Sequence, residues 1–358
     1  MTMIFNIKAM GLITSVGRDY ETSCSSIRAG ISRFSDLNHV ETLNLDQIES
    51  DKAVGSPVAG ITDGYSGYSR WFKMLKYAID DAKQSFTWFN EQENESWETC
   101  GVYILLPDLA NERYLYDPVT DADSFKKMFL DRLLEYIHPS LKFENSQIFI
   151  EGNTGLAASL FFTDEFISKR KISNIIILSV DSFIDASSIN WILKQNRLKN
   201  DEQKNGMIPG EAASLLLIDF NNEGRALGKI NDVSIESTGV EDIITERDNG
   251  NTLAECIRKT IDDRDFFFGD IYNDNSGEIW KSHEYWMAKT LLQSGLHDDC
   301  REFQVAESLG DTGAASASIA VISAIQSFEY NYSKTNEALV ISQSDEGNFG
   351  SFIISREK

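Results

Sequence analysis

The residues best suited to nucleophilic, acid–base or metal chemistry in this 358-residue chain are four cysteines and four histidines, and their spacing implies little. Cys24, Cys100, Cys256 and Cys300 are far apart with no CxxC pair, so neither a zinc ribbon nor a disulfide framework is indicated. Reduced, structural thiols are expected. His39, His138, His283 and His297 form no HxxxH or HExxH cluster, so no metal site is expected and no cofactor motif stands out. Cys24 alone lies near a helix start. Its place in the amphipathic stretch 22–29 reads as a packed thiol rather than a reactive one. More informative are two small-residue turns that open helices, Glu151-Gly152-Asn153-Thr154-Gly155 and Gly310-Asp311-Thr312-Gly313.

These turns need elements to hold them. Strand-like and helix-like segments alternate along the whole chain, the pattern of an α/β layered fold. Residues 147–150 read as a strand, and a helix over 156–167 follows the turn at once. Residues 175–179 and 214–219 are continuous apolar runs of the kind expected in strands buried on both faces. Helices are expected over 68–86, 124–136, 252–261 and 284–292, and a small-residue helix over 314–325. Strands are expected over 268–272, 338–343 and 350–355, with Phe266-Phe267-Phe268 feeding the first of them. The acidic stretches 90–98 and 240–251 read as surface loops. No Pro/Gly/Ser linker or low-complexity tract divides the chain. One body over 1–358 is expected, built from two related halves, 1–220 and 221–358.

Composition narrows the function. Hydrophobic residues make up 42% of the chain and charged residues 25%, the balance of a globular protein with a real core. No apolar run reaches the roughly 18–20 residues of a membrane span. The N-terminal segment reads as a first strand and not a leader, so a cytoplasmic protein is expected. A formal net charge of −23 repels phosphate backbones and anionic lipid, which excludes nucleic acid and membranes as expected partners. Lys169-Arg170-Lys171 and Lys126-Lys127 are short basic runs that read as solvated helix ends. They are also the candidates for docking an acidic partner.

Three segments, in order, resemble β-ketoacyl synthases. Met207-Ile208-Pro209-Gly210-Glu211-Ala212-Ala213-Ser214-Leu215-Leu216-Leu217 is similar to that family's "PGEGAG-LVLE" hairpin. Leu309-Gly310-Asp311-Thr312-Gly313-Ala314-Ala315-Ser316-Ala317 is similar to its "GHTxGAAG" turn and helix. The strand–turn–helix over 148–158 is similar to its nucleophile elbow, and Gly11-Leu12-Ile13-Thr14-Ser15-Val16-Gly17 to its opening "GxVTxxG". The resemblance implies a thiolase fold, two related αβαβα halves packed as a five-layer core. It also implies dimers formed through the strand beside the elbow, here near 147–150.

It further implies where catalytic residues belong, and here they are absent. Such enzymes place a cysteine at the elbow, where the positive end of the following helix activates the thiolate. That position falls on Gly152, or with a slip on Asn153 or Thr154, and no cysteine lies between Cys100 and Cys256. Ile271-Tyr272-Asn273-Asp274-Asn275-Ser276-Gly277 resembles the "xxxHGTG" turn with Asp274 in the place of the histidine. Asp311 stands for the histidine of "GHT", and Ala306 for the family's lysine. A carboxylate cannot donate the hydrogen bonds of a neutral imidazole unless held protonated, so condensation by the Cys-His-His mechanism is not expected.

Besides survival of the acyl pocket as a non-reactive ligand site, two readings follow. One is a non-catalytic, chain-length-factor-like scaffold, a pseudoenzyme acting as a homodimer or as the partner of a ketosynthase-like subunit, with an acyl carrier protein as a further partner. The other is an acyl-thioester hydrolase or acyltransferase using Asp274, Asp311 and Thr154. It requires an open pocket reaching both aspartates, whose proximity would raise one carboxyl pKa or hold a cation.

Overall fold

The longest apolar runs become strands sealed on both faces. In β6 (Asn174–Ser182), Ile175 and Ile177 enter one core cluster while Ile176, Leu178 and Val180 enter another. In β7 (Glu211–Asp219), Leu216 and Ile218 face the first cluster and Leu215 and Leu217 the second. With a period of two, alternate side chains must point to opposite faces, so an unbroken apolar run demands cover on both. The computed structural model describes residues 3–44, 49–92, 94–109, 113–114, 122–200, 203–220, 224–240, 242–262 and 264–357.

Besides β6 and β7, the strands are β1 (Phe5–Thr14), β2 (Ser35–Asn44), β3 (Glu49–Gly55), β4 (Cys100–Leu105) and β5 (Ser146–Phe149). Then come β8 (Gly228–Ser237), β9 (Asp270–Asn273), β10 (Arg301–Gln304), β11 (Glu337–Gln343) and β12 (Asn348–Ser355). β2 and β3 form a separate antiparallel pair. The other ten make one continuous sheet, ordered β10-β9-β11-β12-β8-β1-β7-β6-β4-β5. Read outward from the β1/β8 seam, the two sides repeat the same pairings. β1/β7 and β7/β6 are antiparallel, then β6/β4 and β4/β5 parallel. β8/β12 and β12/β11 are antiparallel, then β11/β9 and β9/β10 parallel. The seam is narrow, pairing Phe5–Ile7 with Gly228–Ile230.

Helices fill three layers around these two sheet halves. The Gly155–Phe161 and Ser316–Glu329 helices lie in the middle, in the cluster shared by both halves. The Gly67–Ser85 helix covers the outer face of the first half, presenting Trp71, Met74, Leu75, Ala78, Ile79 and Ala82 at helical spacing. The Asn251–Ile261 and Ile279–Leu292 helices cover the outer face of the second. Local chemistry sets several helix starts. Asp19 accepts from the Thr22 N–H at 2.7 Å, and Asp185 from the Ser188 N–H at 2.9 Å, each satisfying a donor the helix leaves free.

Four local expectations need correction. The stretch 90–98, expected as a loop, is largely helical: Trp88–Glu91 and Asn94–Glu98 are helices, and Trp97 is buried with its ring stacked on His138. Residue 93 of that stretch, and residue 241 of the other acidic stretch, lie outside the described residues. Of the three consecutive phenylalanines only Phe267 is buried; Phe266 and Phe268 flank His297 at the surface, and the strand begins at Asp270. The helix after the elbow ends at Phe161, and a second runs Thr163–Arg170. The last outer helix starts early, at Ile279, which brings Lys281 into it.

Candidate functional site

Four chain segments meet in the centre of the molecule. The first is the turn Gly152–Thr154, one tight helical turn between β5 and the Gly155–Phe161 helix. The second leaves β9 through Asp274, Asn275 and Ser276 into the Ile279–Leu292 helix. The third is Gly310–Gly313, entering the Ser316–Glu329 helix through the turn Gly313–Ala315. The fourth is the end of β11, at Gln343. The hairpin segment before β7 clamps the third: the Asp311 N–H donates to Ile208 O at 2.8 Å, and the Gly210 N–H donates to Asp311 O at 2.9 Å. So two of the sequence motifs that suggested the fold are hydrogen-bonded to each other.

Asp274 and Asp311 do converge, and what lies between them is the ammonium of Lys281. Its Nζ is 3.3 Å from Asp274 Oδ2 and 3.6 Å from Asp311 Oδ2, with all three side chains buried. Asp274 Oδ2 also accepts from Asn153 Nδ2 at 2.8 Å and from the Gln343 N–H at 3.0 Å. Asp311 Oδ1 accepts from the Gly313 N–H at 2.8 Å. Asn153 Nδ2 makes a longer bond to Ser316 Oγ, at 3.3 Å, which ties the elbow turn to the second central helix. One oxygen, Asp274 Oδ1, is buried without a hydrogen-bond partner.

Electrostatics follow from this packing. Burial pushes the Asp274 carboxyl above the ordinary aspartate range, although Lys281 and the Gln343 N–H pull against it; Asp311 adds to the rise. For Lys281 burial acts to lower the pKa, but Asp274, Asp311, Asp345 and Glu278 outweigh it and hold the ammonium charged well above its usual range. The cation that two adjacent carboxylates attract is therefore supplied by the chain itself. Lys281 was missed in the sequence; a lysine beside Ile279-Trp280 at a helix start carries no signal of burial.

The remaining candidates fall as follows. Gly152 has φ +51°, left-handed backbone that favours glycine, and a Cβ built there meets no atom within 4 Å. The Thr154 side chain is buried, and its hydroxyl donates to Glu151 O at 2.9 Å, as a turn-closing bond. Ala306 begins the short Ala306–Leu309 helix and contributes only a methyl group. His283 is half-buried on the Ile279–Leu292 helix, with Nδ1 3.4 Å from Glu284 Oε1. Cys24 is buried, and burial pushes its thiol up to about 12. Among the described residues no group of three or more His, Cys, Asp or Glu side chains is arranged to hold a metal ion.

Two further ionic clusters, also missed in the sequence, flank the triad. Arg113 Nη2 pairs with Asp181 Oδ1 at 2.5 Å, while Asp181 Oδ2 accepts from the Ala314 N–H at 3.2 Å. Arg197 clamps Glu278 at 2.7 and 2.8 Å and Asp345 at 2.6 and 3.0 Å. A cavity of about 1020 Å³ touches none of Asp274, Lys281, Asp311 or Thr154, nor does another of about 490 Å³.

The whole architecture has counterparts among solved structures. A ketosynthase/chain length factor, that of ishigamide, matches 99% of this chain over 99% of its own at 14% identity, with a TM-score of 0.69. The β-ketoacyl synthase of Burkholderia phymatum STM815 matches over the full length of both chains at 14% identity and a TM-score of 0.68. The ketosynthase from module 6 of the bacillaene synthase of Bacillus subtilis 168 matches 99% of this chain and 72% of its own, at 13% identity and a TM-score of 0.72. This is the thiolase fold. No family model and no curated protein sequence matches the chain. The thiolase-fold likeness thus lives in backbone arrangement, at identities too low to carry activity with it. Among the described residues no helix of this thiolase-fold chain is long and apolar enough to cross a membrane.

Proposed function

We propose that this chain is a ketosynthase-like subunit that binds and scaffolds without condensing-enzyme chemistry, in a dimer with a second copy or with a ketosynthase-like partner. One observation carries the reading. Where a condensing enzyme would present a thiol and two imidazoles, this chain has an unsubstituted glycine and a buried Asp274–Lys281–Asp311 ionic triad. A charged lysine between two carboxylates offers a substrate carbonyl no neutral hydrogen-bond donor in the imidazole manner, and Asn153 and Gln343 are already spent on Asp274.

The hydrolase or acyltransferase alternative is weakened by the same geometry. Thr154 donates to a backbone carbonyl, the aspartates are tied to Lys281, and the cavities of about 1020 and 490 Å³ are lined by neither of them. Support for a dimer comes from the first sheet half. β5 is an edge strand, and Ile150, Phe161 and Phe162 are exposed beside it. An unpaired edge flanked by apolar side chains is a surface that pairs with another chain. The halves 1–220 and 221–358 would then play different parts, the first carrying the dimer edge. An acyl carrier protein is the further partner we propose, by analogy with a solved type II polyketide synthase complex of an acyl carrier protein with its ketosynthase, at 12% identity and a TM-score of 0.74. The Lys126 and Lys127 run, with Lys126 over the Phe143 ring at 4.1 Å, is the proposed contact; Lys169 is taken up by Glu165.

Native mass spectrometry of the purified chain, alone and mixed with a ketosynthase from its own cell, tests this. A two-subunit species lost on Phe161→Glu/Phe162→Glu is expected. A monomer under all conditions would overturn it.

A further inference from the structure

One cavity that none of the triad residues lines lies against the outer edge of the second sheet half. Its walls are the Tyr20–Arg28 helix, edge strand β10 and the end of the Ser316–Glu329 helix. We infer that this cavity is a binding site for a small planar aromatic molecule carrying a single anionic group.

The shape argument comes first. At about 1020 Å³, open on one side, the space is at the upper end of what drug-sized ligands fill. Two aromatic pairs line it: Tyr272 and Phe303 are stacked with centroids 5.0 Å apart and planes at 21°, and Tyr330 and Tyr332 at 6.0 Å and 18°. With Tyr332 covered by Arg28, Phe303 and Tyr330 are the rings left to offer an outer face, which favours an offset-stacked ring over an aliphatic chain. Tyr272 and Cys24 are buried at the floor, so the apolar end of a ligand would be taken out of water there. The thiol contributes contact area only, since no reactive thiolate forms in that setting.

Charge gives the second part. Arg301 is spent: it pairs with Asp270 at 2.8–2.9 Å and donates to Tyr332 O at 3.0 Å. Arg28 is not. Its guanidinium lies 3.8 Å over the Tyr332 ring, and among the described residues it has no salt-bridge partner. A guanidinium fixed on an aromatic face keeps its edge donors free for a carboxylate or sulfonate. Glu302 is neutralised by Lys289, but Glu21 and Glu307 also line the cavity. Those two carboxylates repel a polyanion such as a nucleotide triphosphate, so the anion that fits is a single group in direct contact with Arg28.

The probe is 1-anilinonaphthalene-8-sulfonate, a planar aromatic with one sulfonate whose fluorescence reports binding. The intact chain is titrated beside Arg28→Gln, Ser323→Trp and Phe266→Ser, an exposed apolar residue outside the cavity, with thermal unfolding of each to confirm folding. Expected are saturable binding at one site per chain, about tenfold weaker affinity in Arg28→Gln, loss in Ser323→Trp, and no change in Phe266→Ser. Tripolyphosphate should not compete. If Ser323→Trp does not fold, Arg28→Gln decides alone. Equal affinity in Arg28→Gln and the intact chain, signal lost only in Phe266→Ser, or displacement by tripolyphosphate would overturn the assignment.

Discussion

The two turns that open the central helices look alike and are held in opposite ways. Each is three residues long and begins with a left-handed glycine, Gly152 at φ +51° and Gly313 at φ +50°. Each leads into a helix lying between the sheet halves. Around Gly152 there is unused space, with no atom within 4 Å of a Cβ placed there. At Gly313 a Cβ would fall inside the Asp181 carboxylate, which is pairing with Arg113 and accepting from the Ala314 N–H. The first glycine is required by backbone shape alone; the second is required by backbone shape and by a buried ion pair. The difference separates a glycine that the scaffold needs on two grounds from one that it needs on one. Gly313 and the triad hold the centre together, while the room beside Gly152 supports nothing.

Substitutions sharpen that contrast. Gly313→Ala should be the most damaging. It displaces Asp181 and leaves Arg113 buried without its partner, a loss of about 3–5 kcal/mol read by chemical denaturation. A value under about 1 kcal/mol would mean the turn yields easily and the two sites are not different.

Lys281→Met should cost about 3 kcal/mol at neutral pH, because it leaves two carboxylates facing each other in the core. The cost should depend on pH. Without the ammonium, the Asp274 carboxyl rises further above its unfolded value, about 4. The variant's native state then keeps a proton that its unfolded state has released, so its stability is fullest below about pH 4 and falls as pH rises through the folded value. Adding Asp274→Asn should flatten the profile. A Lys281→Met curve parallel to that of the unaltered chain would refute the triad.

Gly152→Ala should be mildest, about 1–2 kcal/mol, arising only from the left-handed conformation. A larger loss would show that the space beside it is filled.

The sequence carried the fold better than the site. Runs such as 175–179 and 214–219 demanded strands covered on both faces, and small-residue turns marked where helices start; these signals are local and survived. Asp274 and Asp311 could be picked out because the turns that carry them, 271–277 and 309–317, resemble turns of β-ketoacyl synthases. Lys281 could not, since its role depends on a helix beginning five residues before 284 and on two carboxylates from distant segments. Arg113 and Arg197 were invisible for the same reason: a buried ion pair is a fact of three-dimensional convergence, and arginines on the surface read identically in sequence. Phe266-Phe267-Phe268 misled in the opposite direction, since an apolar triplet reads as core while the chain buries only its middle member.

The central claim is that this thiolase-fold centre forms no acyl-enzyme. Intact-mass spectrometry of the full chain after incubation with malonyl- and acetyl-coenzyme A, with released carbon dioxide followed in parallel, tests it most directly. The account predicts an unchanged protein mass and no decarboxylation above the protein-free rate. A stoichiometric acyl adduct, or carbon dioxide release that disappears in Asp274→Asn, would contradict it.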